Sequence, residues 1–518
     1  MVRPVISRYV AAGLLLAYIV VIAQSSAIGL GDTSNHLVRA YIMADLIFHH
    51  GAGFGAQFEY HFLAVPYVLP DLLLTAAVDV LGPKIALASW TVLTFLSVPA
   101  ALLLYFRVTL GTKGRALLED EGALFLLLCA LYLSTDFFFV VGFFAFNLGL
   151  ACVIVILTLI ELLRRRWSNG LFALYGGLVV TAYLIHLSTL VFLATIVAVS
   201  ALLRLWSRSS SLRHELFLFA PIVVMLAWHF GVAEHYRRPT DLAGEVYRWG
   251  TLHGKMLRMP ISNFLRYRGR LDPILWFLYV ASLLMLIRSR AWRDTFASPR
   301  VIESLALATA FFGMYFALPA SYSEASYVDI RALAPATLFI LLACLHLPRV
   351  EPRPESSRRA PSLAVALAFV LSILNLAYLG EHFMELSSWS TKYRALFAAI
   401  PRGAHVLPVY TVPTIWKYMD PSPITVIDRQ ASVPYLFSAN TGAPMTYFRY
   451  VDPPYKPADD WYTSGPPLVD WRQIACTYQY ILVTRPFDLR RIRVATNTIA
   501  ENSSAALLAI DPRACDEP

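Results

Sequence analysis

Residues 9–28, YVAAGLLLAYIVVIAQSSAI, are followed at 31–50 by GDTSNHLVRAYIMADLIFHH, and the difference between these two runs decides the fold. The first holds about 20 mostly apolar residues, enough to cross the hydrocarbon core of a bilayer. Arg3 and Arg8 precede it and SSA closes it, the outline of a cleavable signal peptide. Its apolar run exceeds the roughly 7–15 residues of a signal core, so a retained helix is expected. The second run is amphipathic: Leu37, Tyr41, Ala44 and Phe48 share a helical face, and Asn35, His36 and Arg39 project elsewhere. Asp32 and Thr33 open it. They read either as caps of an interfacial helix, or as a carboxylate held just outside the bilayer to bind a metal ion or accept a proton, with His36 and Arg39 beside it.

Across its 518 residues the chain is 58% hydrophobic and only 15% charged, with a mean hydropathy of +0.58. That composition belongs to a polytopic membrane protein. Its formal charge of +9 does not indicate nucleic acid, because Lys and Arg fall in short clusters between apolar runs, where membrane topology places them. Apolar stretches recur near 9–28, 63–82, 84–106, 121–140, 142–163, 170–187, 188–206, 215–232, 273–289, 301–320, 330–348 and 361–380, predicting 11–13 transmembrane or re-entrant helices. RRRW (164–167), RLWSRSSSLRH (204–214), RSRAWR (288–293) and PRVEPRPESSRR (348–359) mark the cytoplasmic loops. If every candidate crosses from a cytoplasmic amino terminus, RRRW falls on the wrong side, so one candidate does not span. The expected exception is 121–140, where LSTDFFFVVGFF places Asp136 and Gly142 in an apolar run and suggests a re-entrant segment.

Beyond residue 381 the pattern changes. HVLPVYT (405–411), PITVIDRQ (423–430), YQYILVTRP (478–486) and AALLAID (505–511) read as short strands, and 385–400 as helical. The expected organisation is a membrane domain over 1–380, with outward loops 29–62 and 233–272, and a soluble α/β domain over 381–518. Cys476 precedes one strand candidate and Cys515 follows another, so neighbouring strands would bring them to bonding distance in an oxidising compartment. Cys129, Cys152 and Cys344 lie in apolar runs and read as packing residues.

The succession of a first helix, an acidic residue heading the first outward loop, a surface helix, EYHFLAVPYVLPDLLL with its prolines and the LGPKIA turn resembles the glycosyltransferase C superfamily. The resemblance covers about 8–206 and includes GFFAFNLGLACVIVILTLIELL (142–163) and AYLIHLSTLVFL (182–193), where His186 nears a helix end. It implies a multi-spanning enzyme moving sugar from a polyprenyl-phosphate carrier to a glycan, lipid or protein acceptor. A bacterial inner membrane, with the carboxy-terminal domain outside the cytoplasm, is the implied setting. Asp32 matches the loop carboxylate, a catalytic base or ligand of a divalent cation (Mg or Mn), with His36 and Arg39 orienting it. The family often pairs acidic residues there, whereas Thr33 follows Asp32 here, so Glu59, His61 or Asp136 would complete a metal site. Arg237, Arg238, Lys255, Arg258, Arg266, Arg268 and Arg270 in the second outward loop, with Arg331 in YSEASYVDIRALAPA, suit a lipid phosphate. The same loop charge also suits anionic headgroups.

Asp71 and Asp79, inside apolar sequence, read equally as a cap after Pro70 and as a residue at a cytoplasmic boundary. No Gly-rich phosphate loop, His-Glu-x-x-His or Gly-x-Ser-x-Gly motif is present. A lipid-glycan transporter or flippase calls for internal repeats and paired charges at mid-membrane, and neither is visible. A non-catalytic envelope-assembly protein remains compatible with the unpaired Asp32.

Overall fold

A computed structural model describes residues 2–24, 32–60, 62, 64–109, 120–236, 247–263, 271–288, 298–322, 325–347, 359–409, 422–434, 448–450, 470–484, 489 and 492–515. In chain order the helices are α1 (Val2–Gln24), α2 (Thr33–Phe48), α3 (Val68–Leu81), α4 (Pro83–Thr109), α5 (Glu121–Leu133), α6 (Phe137–Val140), α7 (Phe144–Arg165), α8 (Asn169–Ile185) and α9 (Leu187–Trp206). They continue with α10 (Leu212–Tyr236), α11 (Leu252–Asn263), α12 (Asp272–Arg288), α13 (Pro299–Ala317), α14 (Leu333–His346), α15 (Arg359–Phe397), α16 (Ile424–Arg429) and α17 (Trp471–Thr477). The strands are β1 (Phe58–Tyr60), β2 (Tyr247–Arg248), β3 (Ser321–Tyr322), β4 (Ala325–Ser326), β5 (Val406–Val409), β6 (Phe448–Tyr450), β7 (Tyr480–Thr484), β8 (Thr496–Glu501) and β9 (Ala505–Ile510).

This is a mainly helical integral membrane protein carrying a small sheet domain. Six helices are long and apolar enough to cross a membrane, and four shorter apolar segments, Tyr9–Gln24, Glu121–Leu133, Asn169–Ile185 and Ile330–His346, join them. The first segment is packed into the bundle: the buried Tyr18 hydroxyl donates to the Ser372 carbonyl at 2.7 Å and accepts from Asn375 Nδ2 at 2.8 Å.

Charge is sorted to two ends, as hydrocarbon demands. At one, Arg164 pairs with Glu215 at 3.0 Å and Glu303 at 3.5 Å, and Arg204 with Glu303 at 3.1 Å and Glu161 at 3.3 Å. Arg300 and Arg165 donate to the Thr109 carbonyl there. The basic clusters at 164–167 and 204–214 lie at this end. At the other end Trp228 of α10 donates to the Ala64 carbonyl at 2.9 Å, and β1 pairs antiparallel with β6 of the carboxy-terminal region.

α3 does not run from one end of the bundle to the other. Asp71 in the first turn of α3 pairs with Arg39, while Asp79 near its other end lies 2.8 Å from His49, so α3 runs alongside α2 at one end of the bundle. Asp79 therefore lies with the carboxy-terminal domain and not at the basic end. α5 begins at the basic end, where Gly122 faces Phe106 of α4, and α6 is a short turn capped by Asp136. With α3 removed from the crossings, RRRW joins the cluster at 204–214.

α15 runs unbroken for 39 residues, about 58 Å against a hydrocarbon core of about 30 Å. The expected 380/381 boundary falls inside it. Its protruding part carries the sheet, with Tyr393 donating to Thr484 Oγ1 at 3.1 Å and Asn502 donating to the Lys392 carbonyl at 2.8 Å. The sheet order is β5-β7-β9-β8, with β5 and β7 parallel. Alternation splits it: Val406, Leu482, Ala505 and Leu507 join the main core, and Leu407, Val409, Ile481, Val483 and Leu508 pack with Ile474 and Tyr478. PITVIDRQ is helical rather than extended, since Pro423 starts α16 and Gln430 ends it at φ +54°, a tertiary override of β-branched propensity. Cys476 and Cys515 are disulfide-bonded, with a Cα separation of 4.8 Å.

The placement of α3 is open to substituted-cysteine labelling. Val80→Cys is expected to react from the same side of the membrane as Arg402→Cys, and Ser209→Cys only from the other. Val80 and Ser209 reacting together would overturn it.

Candidate functional site

The polar groups at the domain end converge from four separate stretches of chain. Asp32 N–H donates to the Val141 carbonyl at 3.1 Å, anchoring the first loop to the α6–α7 junction. Asp32 stands at the N-cap position of α2, yet its side chain makes no capping hydrogen bond. The capping reading of this residue therefore gives way. One and two turns on, Arg39 NH2 lies 2.9 Å from His36 Nδ1 and 2.6 Å from Asp71 Oδ2, with His36 Nδ1 3.4 Å from Asp71 Oδ1. Asp71 is only 2% exposed and sits in the first turn of α3, where the helix dipole favours negative charge. Unpaired, such a buried charge would be costly; Arg39 makes it tenable.

Four residues before Asp71, Tyr67 takes φ +73°, a left-handed conformation that costs a bulky residue energy and clusters at functional sites. It places the phenol against His186, with Oη 2.7 Å from Nε2. His186 joins α8 to α9 and is buried. Its Nδ1 accepts the Ser188 backbone N–H at 3.1 Å, which puts the ring proton on Nε2, so Nε2–H donates to the Tyr67 oxygen. Arg331 lies beside that phenol as well, and the Tyr67 proton points away from His186. Burial raises the Tyr67 pKa above its usual value, with Asp32 adding to the rise and Arg331 opposing it; the phenol is a proton donor at neutral pH. Burial, then Arg331 and His36, hold His186 well below its ordinary 6.5. Close approach of α7 to this junction needs Gly149, since a Cβ there would lie 2.2 Å from Thr189 Cγ2.

Arg331 lies in a 3-10 turn, Ile330–Ala332, that Asp329 caps through the Ile330 N–H at 2.9 Å. Its guanidinium is 5.5 Å from the Phe143 ring centroid. Asp32, His36, Arg39 and Arg331 are thus brought together, and Tyr67, Asp71 and His186 complete the cluster. Sequence reasoning noticed Asp71 and His186 without assigning them roles, and passed over Tyr67; an acid and a tyrosine flanking LP in an apolar run were the available signal. Asp136 stands apart, capping α6 through Phe139 N–H at 2.9 Å and accepting from Asn147 at 3.4 Å. Lys255 is buried in structural contacts. Arg237, Arg238, Arg266, Arg268, Arg270 and His61 lie outside the described residues.

No protein-family model matches the sequence, and no curated protein matches it. Among solved structures, the chain is similar to ArnT from Cupriavidus metallidurans bound to undecaprenyl phosphate, at 14% identity and TM-score 0.55 over 97% of each chain. It is also similar to the same protein in the apo state, at 14% identity and TM-score 0.58 over 98% of each chain. The likeness is one of fold, and it runs over nearly the whole of this chain. Within that fold the two surface helices α2 and α3 and the Asp32-bearing loop hold the polar cluster at the mouth of the bundle.

A neutral, buried His186 makes stability pH-dependent. With its folded pKa below its unfolded one, the unfolded chain binds more protons as pH falls through about 6.5, so this contribution is intact above that value and lost below it. In detergent, the melting temperature is expected to drop between about pH 7 and pH 5, and His186→Asn to flatten that limb. An unchanged slope in the variant would remove His186 as the cause.

Proposed function

We propose that the protein is an integral membrane glycosyltransferase that moves a sugar from a polyprenyl-phosphate donor to a glycan, lipid or protein acceptor on the extracytoplasmic side. The observation that carries this reading is a loop carboxylate not used for capping, Asp32, facing a cation and a proton-bearing phenol, Arg331 and Tyr67, in the one bundle end that also holds the domain. The similarity of fold to a protein crystallised with undecaprenyl phosphate supports it. Basic loops gathered at the opposite end support the sidedness.

In the reaction, Asp32 takes the proton of the acceptor hydroxyl as its oxygen attacks the anomeric carbon. The bond from that carbon to the phosphate oxygen breaks, and the electron pair leaves on the polyprenyl phosphate. Arg331 meets the developing charge and Tyr67 donates its O–H to a phosphate oxygen, in positions set before the reaction. His186 holds the phenol through Nε2–H, and the Arg39–Asp71 pair fixes α2, hence Asp32, relative to α3. Arg237, Arg238, Arg266, Arg268 and Arg270 are the further phosphate ligands in this reading. A divalent cation finds no ready donor set here. Among the described residues no group of three or more His, Cys, Asp or Glu side chains is placed to hold one, and Asp71 is committed to Arg39. Asp32 and the protein's own cations carry the steps given above.

Asp32→Asn is expected to lower sugar transfer at least about 100-fold while changing stability by less than about 0.5 kcal/mol. Release of polyprenyl phosphate from a panel of lipid-linked sugar donors, incubated with purified protein and extracted envelope acceptors, measures the first. A fully active Asn variant would sink the assignment. Failure of the wild-type protein to bind undecaprenyl phosphate would sink the donor class.

A further inference from the structure

We propose that Lys255 is a positioning residue that sets the place of Arg331 and through it the grip on the donor phosphate; this rests on the donor reading above. Lys255 is only 2% exposed, although Leu252, Met256 and Leu257 of the same helix are exposed. Its ammonium donates to the carbonyls of Tyr315 at 2.9 Å and Phe316 at 3.0 Å, and to that of Leu318. Those carbonyls close α13, the negative end of its dipole. In return the Tyr315 hydroxyl donates to the Lys255 carbonyl, so α11 and α13 are tied in both directions.

The same ammonium lies 3.8 Å from Asp329 Oδ2, and Asp329 is wholly buried. Asp329 is the residue that starts the Ile330–Ala332 turn, and Arg331 is in the middle of that turn. A second tie runs in parallel: β2, just before α11, pairs with β3, just after α13, and the Val328 N–H returns to the Ala320 carbonyl at 3.1 Å. Lys255 acts through the Asp329 turn. Removing its charge leaves the Asp329 carboxylate buried without that countercharge, a condition that drives local rearrangement. The turn carries Arg331, so a shift there withdraws the guanidinium from Tyr67 while Asp32, on another segment, keeps its place.

The test uses full-length protein in detergent with undecaprenyl phosphate as probe, measuring its binding by native mass spectrometry, KM and kcat for the donor, and amide exchange over 327–333. Lys255→Met is expected to weaken binding and raise KM about tenfold or more, to leave kcat within about threefold, and to speed exchange in the turn. Lys255→Arg keeps the charge and is expected to stay near wild type, and Lys255→Met with Asp329→Asn to recover much of the binding. Arg331→Ala serves as the comparison, losing binding without altering exchange at 252–263. Unchanged binding and unchanged exchange in Lys255→Met overturn the proposal. If that variant does not fold, recovery of folding and binding by Asp329→Asn supports it, and failure to recover overturns it. Absence of undecaprenyl phosphate binding in wild type defeats the donor reading, and amide exchange still reports whether Lys255 holds the turn.

Discussion

The Arg39–Asp71 ion pair is the contact on which the arrangement depends. At 2.6 Å, with Asp71 buried, it joins α2 to α3 at the start of α3, while His49 and Asp79 join them near its other end. Paired with Arg39, Asp71 stays beside α2, and α3 stays with it. Because α3 does not cross, α4 starts at the site end, and the basic clusters at 164–167 and 204–214 fall on the other side. The same pair sets α2 and therefore the loop that presents Asp32.

The two charged ends are built differently. Arg164, Arg204, Glu161, Glu215 and Glu303 cross-connect α7, α9, α10 and α13 within hydrogen-bonding distances. Each charge has a partner, and the network reads as a clamp. At the site end the charges are spread over α2, α3 and the Arg331 turn, and the polar groups between them, Tyr67 and His186, are committed in a way that leaves a phenol proton directed away from His186. A clamp satisfies its own members. A site keeps some of its capacity for a ligand, and strained backbone at Tyr67 and at Tyr327 (φ +60°) on either side of it fits that difference.

The sheet domain is continuous with this design. α15 exceeds the membrane thickness and presents Tyr393 to the sheet; β6 adds to β1, which lies between α2 and α3. The outward loop that carries the proposed base is therefore braced from above by the last third of the chain and from below by the bundle.

By itself the sequence determined what depends on composition and local period. Long apolar runs with charges only at their ends required a multi-spanning helical bundle, because hydrocarbon accepts no unpaired backbone or side-chain charge. The alternation in YQYILVTRP and AALLAID foretold β7 and β9. The amphipathic stretch after residue 31 marked a surface helix with His36 and Arg39 together, since residues three apart share a helical face. Tertiary structure alone decided the rest. The place of α3 could not be read from hydropathy, because it depends on a partner for Asp71 that is 32 residues away. PITVIDRQ became a helix because its packing against α2 outweighed its β-branched residues. Tyr67, His186 and Arg331 are separated by more than a hundred residues each, so no local pattern links them; only the folded chain brings a strained phenol, a neutral imidazole and a guanidinium to one point, where the low-dielectric surroundings fix which of them holds the proton.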